Sequence, residues 1–122
     1  MRKKLLILLA LAISAYPLEV SARDLVRVGE NSQGVSYYVW RDSIRKKGNI
    51  VWWRDESVRY DANGVLDYYF VTDNSGDCRN MASRVQKSYD SITGEQSLKS
   101  GRLLSYTPGS TGFFILEYVC SQ

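Results

Sequence analysis

Closely spaced tight-turn signals constrain the fold of this chain more than any other feature of its sequence. Gly and Asn tolerate the positive φ that tight turns require, and they recur at short intervals after residue 30. Such signals divide the chain into short segments, and short loops favour antiparallel pairing of neighbouring strands in a meander. The predicted turns are Asn31–Gly34, Lys47–Asn49, Asp61–Gly64, Asp73–Gly76, Thr93–Gly94 and Pro108–Gly109.

The runs between the first turns favour strands. They are rich in β-branched and aromatic residues, which pack well on a pleated surface. Asn63-Gly64 lies between two of these runs and is a strong hairpin signal. The sequence therefore predicts three strands, at Val35–Arg41, Asn49–Val58 and Val65–Thr72.

Two later segments are ambiguous from their residues alone. Asp77–Asp90 has apolar residues at helical spacing, but it also reads as a long strand with alternating polar positions. Ser110–Cys120 contains an apolar run that suits a buried strand, and a serine that suits the start of a short helix. Periodicity leaves a helix and a strand open in both segments.

The first 22 residues have the three parts of a secretory signal peptide. Basic residues at Arg2–Lys4 precede an apolar run at Leu5–Ala15, and Val20–Ala22 resembles a cleavage site. We expect cleavage after Ala22, which leaves residues 23–122 as a single exported domain. No cysteine lies near the expected cleavage site, and no run reaches the roughly 18 apolar residues of a membrane-spanning helix. The sequence thus predicts a periplasmic, cell-surface or extracellular protein with neither a transmembrane segment nor a lipid anchor.

The chain has two cysteines, Cys78 and Cys120. An exported protein enters an oxidising compartment, where disulfides persist, and two cysteines allow one intramolecular pairing. Closing that loop would stabilise a fold of this size by about 3–4 kcal/mol in the chain-entropy model.

Composition argues against several classes of function. Residues 23–122 carry 13 of the 16 basic and 12 of the 13 acidic residues, so the net charge of the expected domain is +1. This charge does not suit a nucleic-acid binder, which relies on clustered positive charge. The chain has no histidine, so Ser-His and Cys-His catalysis and the commonest metal ligand are absent. We expect a protein that is not an enzyme and that binds no metal or cofactor.

Two acidic motifs match known functional sites only in part. Asp73–Asp77 begins like a calcium-binding loop, but Cys78 and Arg84 occupy positions that require Gly and Glu, so we expect a solvated hairpin turn. Asp55 and Glu56 would point to opposite faces of a strand, so they cannot flank one glycosidic bond. We expect both carboxylates at a solvated strand end.

The aromatic residues are the strongest candidates for a binding surface. Trp40, Trp52 and Trp53 are interleaved with arginines such as Arg54, a combination that suits contact with sugars, bases or protein side chains. The alternative is that these rings form the core of a thin sheet. Because Trp52 and Trp53 are adjacent, strand geometry sends them to opposite faces, but the sequence does not say which ring is exposed. Arg54 should share a face with Trp52.

The order of motifs resembles the bacterial surface-adhesin protein E family of small exported domains. The resemblance spans about Tyr37 to Cys120 and rests on Val51–Trp53, Asp77-Cys78, Arg84, Tyr89-Asp90, Gly94, Tyr106–Ser110, Glu117 and Val119-Cys120. It implies a strand over Asp77–Tyr89, a helix over Ser110–Cys120 and a disulfide between Cys78 and Cys120. Named members of that family are adhesins that bind host extracellular proteins.

These inferences predict an α+β, mostly β domain. Its antiparallel meander sheet would have about five or six strands, with a short C-terminal helix tied to it by the disulfide. The preferred function is an exported binding module that contacts a protein or glycan partner through an aromatic and basic face of the sheet. The identity of the partner stays open, and a second copy of the chain, which would form a homodimer, is one of the alternatives. The alternatives are a structural or assembly protein of the cell envelope, and a five-stranded barrel that binds oligosaccharide or nucleic acid.

Overall fold

The computed structural model describes residues 24–97 and 101–122, so the expected signal peptide lies outside the described residues. Within these ranges the chain forms an antiparallel sheet and one α-helix. The strands are β1 (Leu25–Glu30), β2 (Ser36–Trp40), β3 (Arg45–Lys47), β4 (Ile50–Tyr60), β5 (Leu66–Asp77), β6 (Ala82–Asp90), β7 (Gln96–Ser97) and β8 (Leu104–Ser105), and the helix α1 is Thr111–Cys120.

The sheet confirms the predicted antiparallel meander. Its strands lie in the order β1-β2-β4-β5-β6-β7, while the short β3 pairs with β4 and the short β8 pairs with β6. The predicted strands Val35–Arg41 and Asn49–Val58 correspond to β2 and β4, and Val65–Thr72 overlaps the first part of the longer β5. The expected five or six strands match the main path, to which β3 and β8 add short pairings.

The hairpin predicted at Asn63-Gly64 joins β4 to β5. The side chain of Asp61 accepts hydrogen bonds from the backbone N–H groups of Asn63, at 2.8 Å, and Val65, at 3.0 Å. Gly64 has a φ of 76°, which a residue with a Cβ rarely adopts. A local side-chain cap and a glycine therefore fix the turn.

The turn predicted at Asp73–Gly76 is wrong, because these residues continue β5. Gly76 is paired with Val51 in the sheet and is absent from the positive-φ glycines. A Cβ at Gly76 would lie 2.7 Å from Leu116 Cδ1. The glycine is therefore required because helix α1 packs closely against this part of the strand.

Helix α1 resolves the ambiguity of the C-terminal segment in favour of a helix. Ser110 precedes it, and its hydroxyl accepts a hydrogen bond from Phe113 N–H at 3.2 Å, as an N-cap residue does. The face of the helix that contains Ile115, Leu116 and Val119 is buried in a core cluster with residues of β2 and β4: Val39, Val51 and Trp53. The other ambiguous segment is a strand, β6, that begins at Ala82 rather than Asp77 because a turn follows β5.

The disulfide between Cys78 and Cys120 joins the turn after β5 to the end of α1. A second connection lies nearby, since Lys46 Nζ of β3 donates a hydrogen bond to the carbonyl of Cys120 at 2.6 Å. The positive charge of Lys46 also interacts favourably with the negative end of the helix dipole. Both contacts hold α1 against one face of the sheet, called here the inner face; the opposite face is the outer face.

Candidate functional site

Alternation along β4 divides its side chains between the two faces. Trp53 is 4% exposed and belongs to the core on the inner face, whereas Trp52 is 42% exposed. Arg54 lies on the outer face with Trp52, as strand geometry predicts. All four predicted contact residues line one outer groove, but Trp53 is a core residue, whereas Trp40, Trp52 and Arg54 lie on the outer face.

Arg54 is held in place by two partners on the outer face. Its Nε and Nη2 atoms donate to Asp73 Oδ1 and Oδ2 at 2.7 and 3.0 Å, which is the bidentate geometry of a strong ion pair. The guanidinium carbon also lies 5.1 Å from the centre of the Trp40 ring, within cation–π range. The ion pair with Asp73 raises the pKa of Arg54, so its positive charge is constant.

Trp40 is held in place by a hydrogen bond to a carboxylate and by the short 3₁₀ turn that follows β2. Its indole Nε1 donates to Glu56 Oε1 at 3.0 Å. The 3₁₀ turn Arg41–Ser43 interrupts the chain between β2 and β3, which both pair with β4. Ser43 Oγ accepts from Arg54 N–H at 2.8 Å and donates to the Trp40 carbonyl at 2.6 Å. The turn thereby places Trp40 beside Arg54.

We call Trp40, Trp52, Arg54 and Asp73 the outer patch. Two shallow grooves adjoin it. One, of about 390 Å³, is lined by the whole patch together with Ser43, Arg45, Trp53, Asn74 and Gln86. The other, of about 400 Å³, is lined by Trp40 and Arg54 with Tyr69, Val71 and Tyr89 among its other residues. The patch combines an exposed indole, a fixed cation and hydrogen-bonding groups.

The expectation of a solvated strand end at Asp55 and Glu56 is wrong. Both residues are buried in the middle of β4, with 8% and 4% of their surface exposed. Each carboxylate accepts an indole N–H on its own side of the sheet: Glu56 from Trp40, and Asp55 from Trp53 at 2.9 Å. These hydrogen bonds allow the burial, because a buried polar group without a partner is costly.

A pocket of about 320 Å³ lies between the inner face and the first turns of α1, and we call it the inner pocket. Gly112 of the helix leaves room for the Tyr106 ring, since a Cβ there would lie within 2.8 Å of three ring atoms. The residues lining the pocket are Tyr37, Trp53, Asp55, Ser57, Tyr68, Thr72, Asn74, Ser83, Val85, Tyr106, Thr111, Gly112 and Ile115.

Asp55 is the unusual group of the inner pocket. Its Oδ2 atom accepts hydrogen bonds from Trp53 Nε1 at 2.9 Å and from Asn74 Nδ2 at 3.1 Å. Burial raises the pKa of Asp55 to about 7; the two hydrogen bonds oppose this rise, and the negative charges of Asp73 and Glu56 add to it. At neutral pH the carboxyl group therefore exists in both its protonated and its ionised form. Burial likewise raises the pKa of Tyr37, with Tyr68 contributing.

Asp55 is a buried pocket residue, which the sequence did not predict. The spacing Trp53-x-Asp55 carries a signal, because residues two apart on a strand share a face. A carboxylate next to a core indole on one face is a candidate for burial. The second partner, Asn74, could not be found this way because the pairing of β4 with β5 brings it from 19 positions away.

No model of a known protein family matches the chain, and no curated protein sequence matches it. The resemblance to surface-adhesin protein E therefore stays a prediction. Within the two described ranges, no helix is both long enough and apolar enough to cross a membrane. The disulfide is compatible with an exported protein.

Proposed function

We propose that this protein is an exported, non-catalytic binding module that contacts a protein or glycan partner through the outer patch. The observation that carries the proposal is the exposure of Trp52 beside the fixed Arg54. Trp and Arg are the residue types most enriched among the hot spots of protein interfaces. An exposed indole also suits stacking against the apolar face of a sugar.

The geometry of Arg54 supports recognition of a partner. Two of its five N–H donors are used by Asp73, and the ion pair and the Trp40 ring already restrict its rotamers. A side chain that is ordered before binding loses less conformational entropy on association. The outer patch therefore provides a preorganised cation next to an apolar ring.

Export is proposed from the sequence of residues 1–22 and supported by the disulfide. The proposed location is the periplasm, the cell surface or the medium. The resemblance to surface-adhesin protein E supports adhesion as the form of binding, with extracellular proteins as the first partners to test. A structural role in the cell envelope is the alternative, and it predicts no ligand that depends on the outer patch.

The test is a binding screen of the purified protein against arrays of glycans and of extracellular and envelope proteins. Trp52→Ala is compared with Phe114→Ala, whose ring is similarly exposed, at 46%, on α1. We expect a ligand whose binding is lost in Trp52→Ala and retained in Phe114→Ala. Binding that is equal in the two variants would contradict the role of the outer patch.

A further inference from the structure

The inner pocket contains a carboxylate that has no cationic partner among the described residues. The residues that line it include neither Lys nor Arg, and the described part of the chain places Asp55 in no salt bridge. The charged neighbours that act on Asp55 are acidic: Glu56 from its own strand and Asp73 from β5. A buried anion without a cation is a costly arrangement.

The hydrogen bonds of Asp55 are asymmetric. Those from Trp53 and Asn74 both end on Oδ2, and in the described structure none ends on Oδ1. If the only role of this residue were to accept those two bonds, the single amide oxygen of an asparagine would serve without burying a charge. The second oxygen is available to a donor that enters the pocket.

The walls of the pocket suit a cation with a carbon body. Tyr37, Tyr68 and Tyr106 line it, and tyrosine rings attract cations that lie over their faces. The guanidinium of Arg59, which is not among the lining residues, already lies 5.7 Å from the centre of the Tyr68 ring, so Tyr37 and Tyr106 are the rings that remain for a bound cation. Helix α1 contributes Thr111, Gly112 and Ile115 to the lining and brings no charge. The volume of about 320 Å³ lies at the lower end of the roughly 300–1,000 Å³ that is usual for small-molecule sites.

We propose that the inner pocket binds a small organic ammonium ion, whose N–H group donates to Asp55 Oδ1 and whose carbon chain packs against Tyr37, Tyr68 and Tyr106. Binding would supply the positive charge that the walls lack and would complete the hydrogen bonding of the carboxylate. The site lies on the face opposite the outer patch. The inference therefore does not depend on the proposed function.

The test uses n-butylammonium as the probe, with butan-1-ol and butyrate as neutral and anionic probes of similar size. The indole N–H resonances of the three tryptophans report the location, because Trp53 donates to Asp55 and Trp40 donates to Glu56. At pH 8 we expect butylammonium to shift the Trp53 resonance saturably, with millimolar or tighter affinity. Butan-1-ol and butyrate should bind at least about tenfold more weakly, because neither forms an ion pair with the carboxylate.

The pH dependence of butylammonium affinity is a second measurement, and it can be made on the native protein. Because the pKa of Asp55 is about 7, the affinity for butylammonium should fall by about tenfold or more between pH 8 and pH 5.5. Asp55→Asn should weaken binding by a similar factor and remove the pH dependence. Its amide oxygen can still accept from Trp53 and Asn74, and Phe114→Ala, which is outside the pocket, serves as the control.

Several results would overturn the proposal. Equal binding of butan-1-ol would identify a merely apolar pocket, and unchanged affinity in Asp55→Asn would remove the carboxylate from recognition. Tighter binding of tetramethylammonium, which has no N–H group, would contradict the hydrogen bond to Oδ1. The absence of a saturable shift of the Trp53 resonance would exclude the site. If Asp55→Asn does not fold, the comparison of probes and the pH dependence of the native protein still decide.

Discussion

Trp52 and Trp53 are consecutive residues of β4 whose rings lie on opposite faces of the sheet, one 42% exposed and the other 4% exposed. The buried ring packs in the core with Val51 and Leu116 and donates its N–H to Asp55. The exposed ring lies beside Arg54 in the outer patch. One strand therefore supplies a residue for folding and, next to it, a residue that is available for binding.

Replacing Cys78 and Cys120 together by serine should destabilise the protein by about 3–4 kcal/mol. The disulfide closes a segment with a sequence separation of 42 residues, and without it the unfolded chain gains conformational freedom. Denaturant unfolding of the native and double-serine proteins measures the difference. Labelling of two free thiols in the denatured, unreduced native protein would show that the bond is absent.

The pH dependence of stability should reveal the burial of Asp55. A folded-state pKa of about 7, against an ordinary value of 3.8, means that the folded protein binds a proton more tightly than the unfolded chain. The stabilising contribution of this group is therefore fully present below pH 3.8 and is lost as the pH rises through about 7. Relative to Asp55→Asn, the native protein should lose on the order of 4 kcal/mol between pH 4 and pH 8. Parallel stability curves for the two proteins would show that the carboxyl group titrates normally.

Gly76→Ala should destabilise the fold by about 1–3 kcal/mol, because the added methyl group would be forced against Leu116 and Trp53. Gly29→Ala is the matched control: it is also in a strand, and a Cβ there would meet its nearest neighbour at 4.0 Å. We expect the control to be nearly neutral in thermal unfolding. Equal losses in the two variants would mean that α1 does not approach β5 as closely as the structure shows.

Arg54→Ala should weaken partner binding by about 1–2 kcal/mol, with little change in stability because its ion pair is partly exposed. The loss should be smaller at high salt if the contact is electrostatic. Arg59→Ala is a close control, since Arg59 also pairs with an aspartate, Asp67, and lies over an aromatic ring, Tyr68. Equal weakening by both variants in a binding titration would indicate a general charge effect.

Local patterns in the sequence predicted the parts of the fold that depend on local chemistry. The cap at Asp61 and the positive φ of Gly64 need no distant partner, so the hairpin was predictable. The turn predicted at Gly76 is wrong because a glycine is required either where φ is positive or where another element packs closely against the backbone. At Gly76 the second reason applies, and the element is a helix whose Leu116 is 40 residues away in sequence. Strand alternation separated Trp52 from Trp53, but the choice of the exposed ring depends on which face α1 covers.

The candidate sites were predictable only in part for the same reason. The sequence predicted a binding surface of Trp40, Trp52, Trp53 and Arg54, and three of these residues, all except Trp53, belong to the outer patch. Asp73 was assigned to a turn and is instead the ion-pair partner of Arg54. The inner pocket was missed because Asp55, Asn74 and Tyr106 meet only through the sheet register and the packing of α1.

The most direct test of the central claim is thermal unfolding and partner affinity measured side by side for Trp52→Ala and Trp53→Ala. Removal of the core ring in Trp53→Ala should cost about 3–5 kcal/mol of stability. Removal of the exposed ring should leave folding nearly unchanged and cost about 2 kcal/mol or more in binding free energy. If both variants lose several kcal/mol of stability, or if Trp52→Ala binds its partner as tightly as the native protein does, the outer patch is not the binding surface.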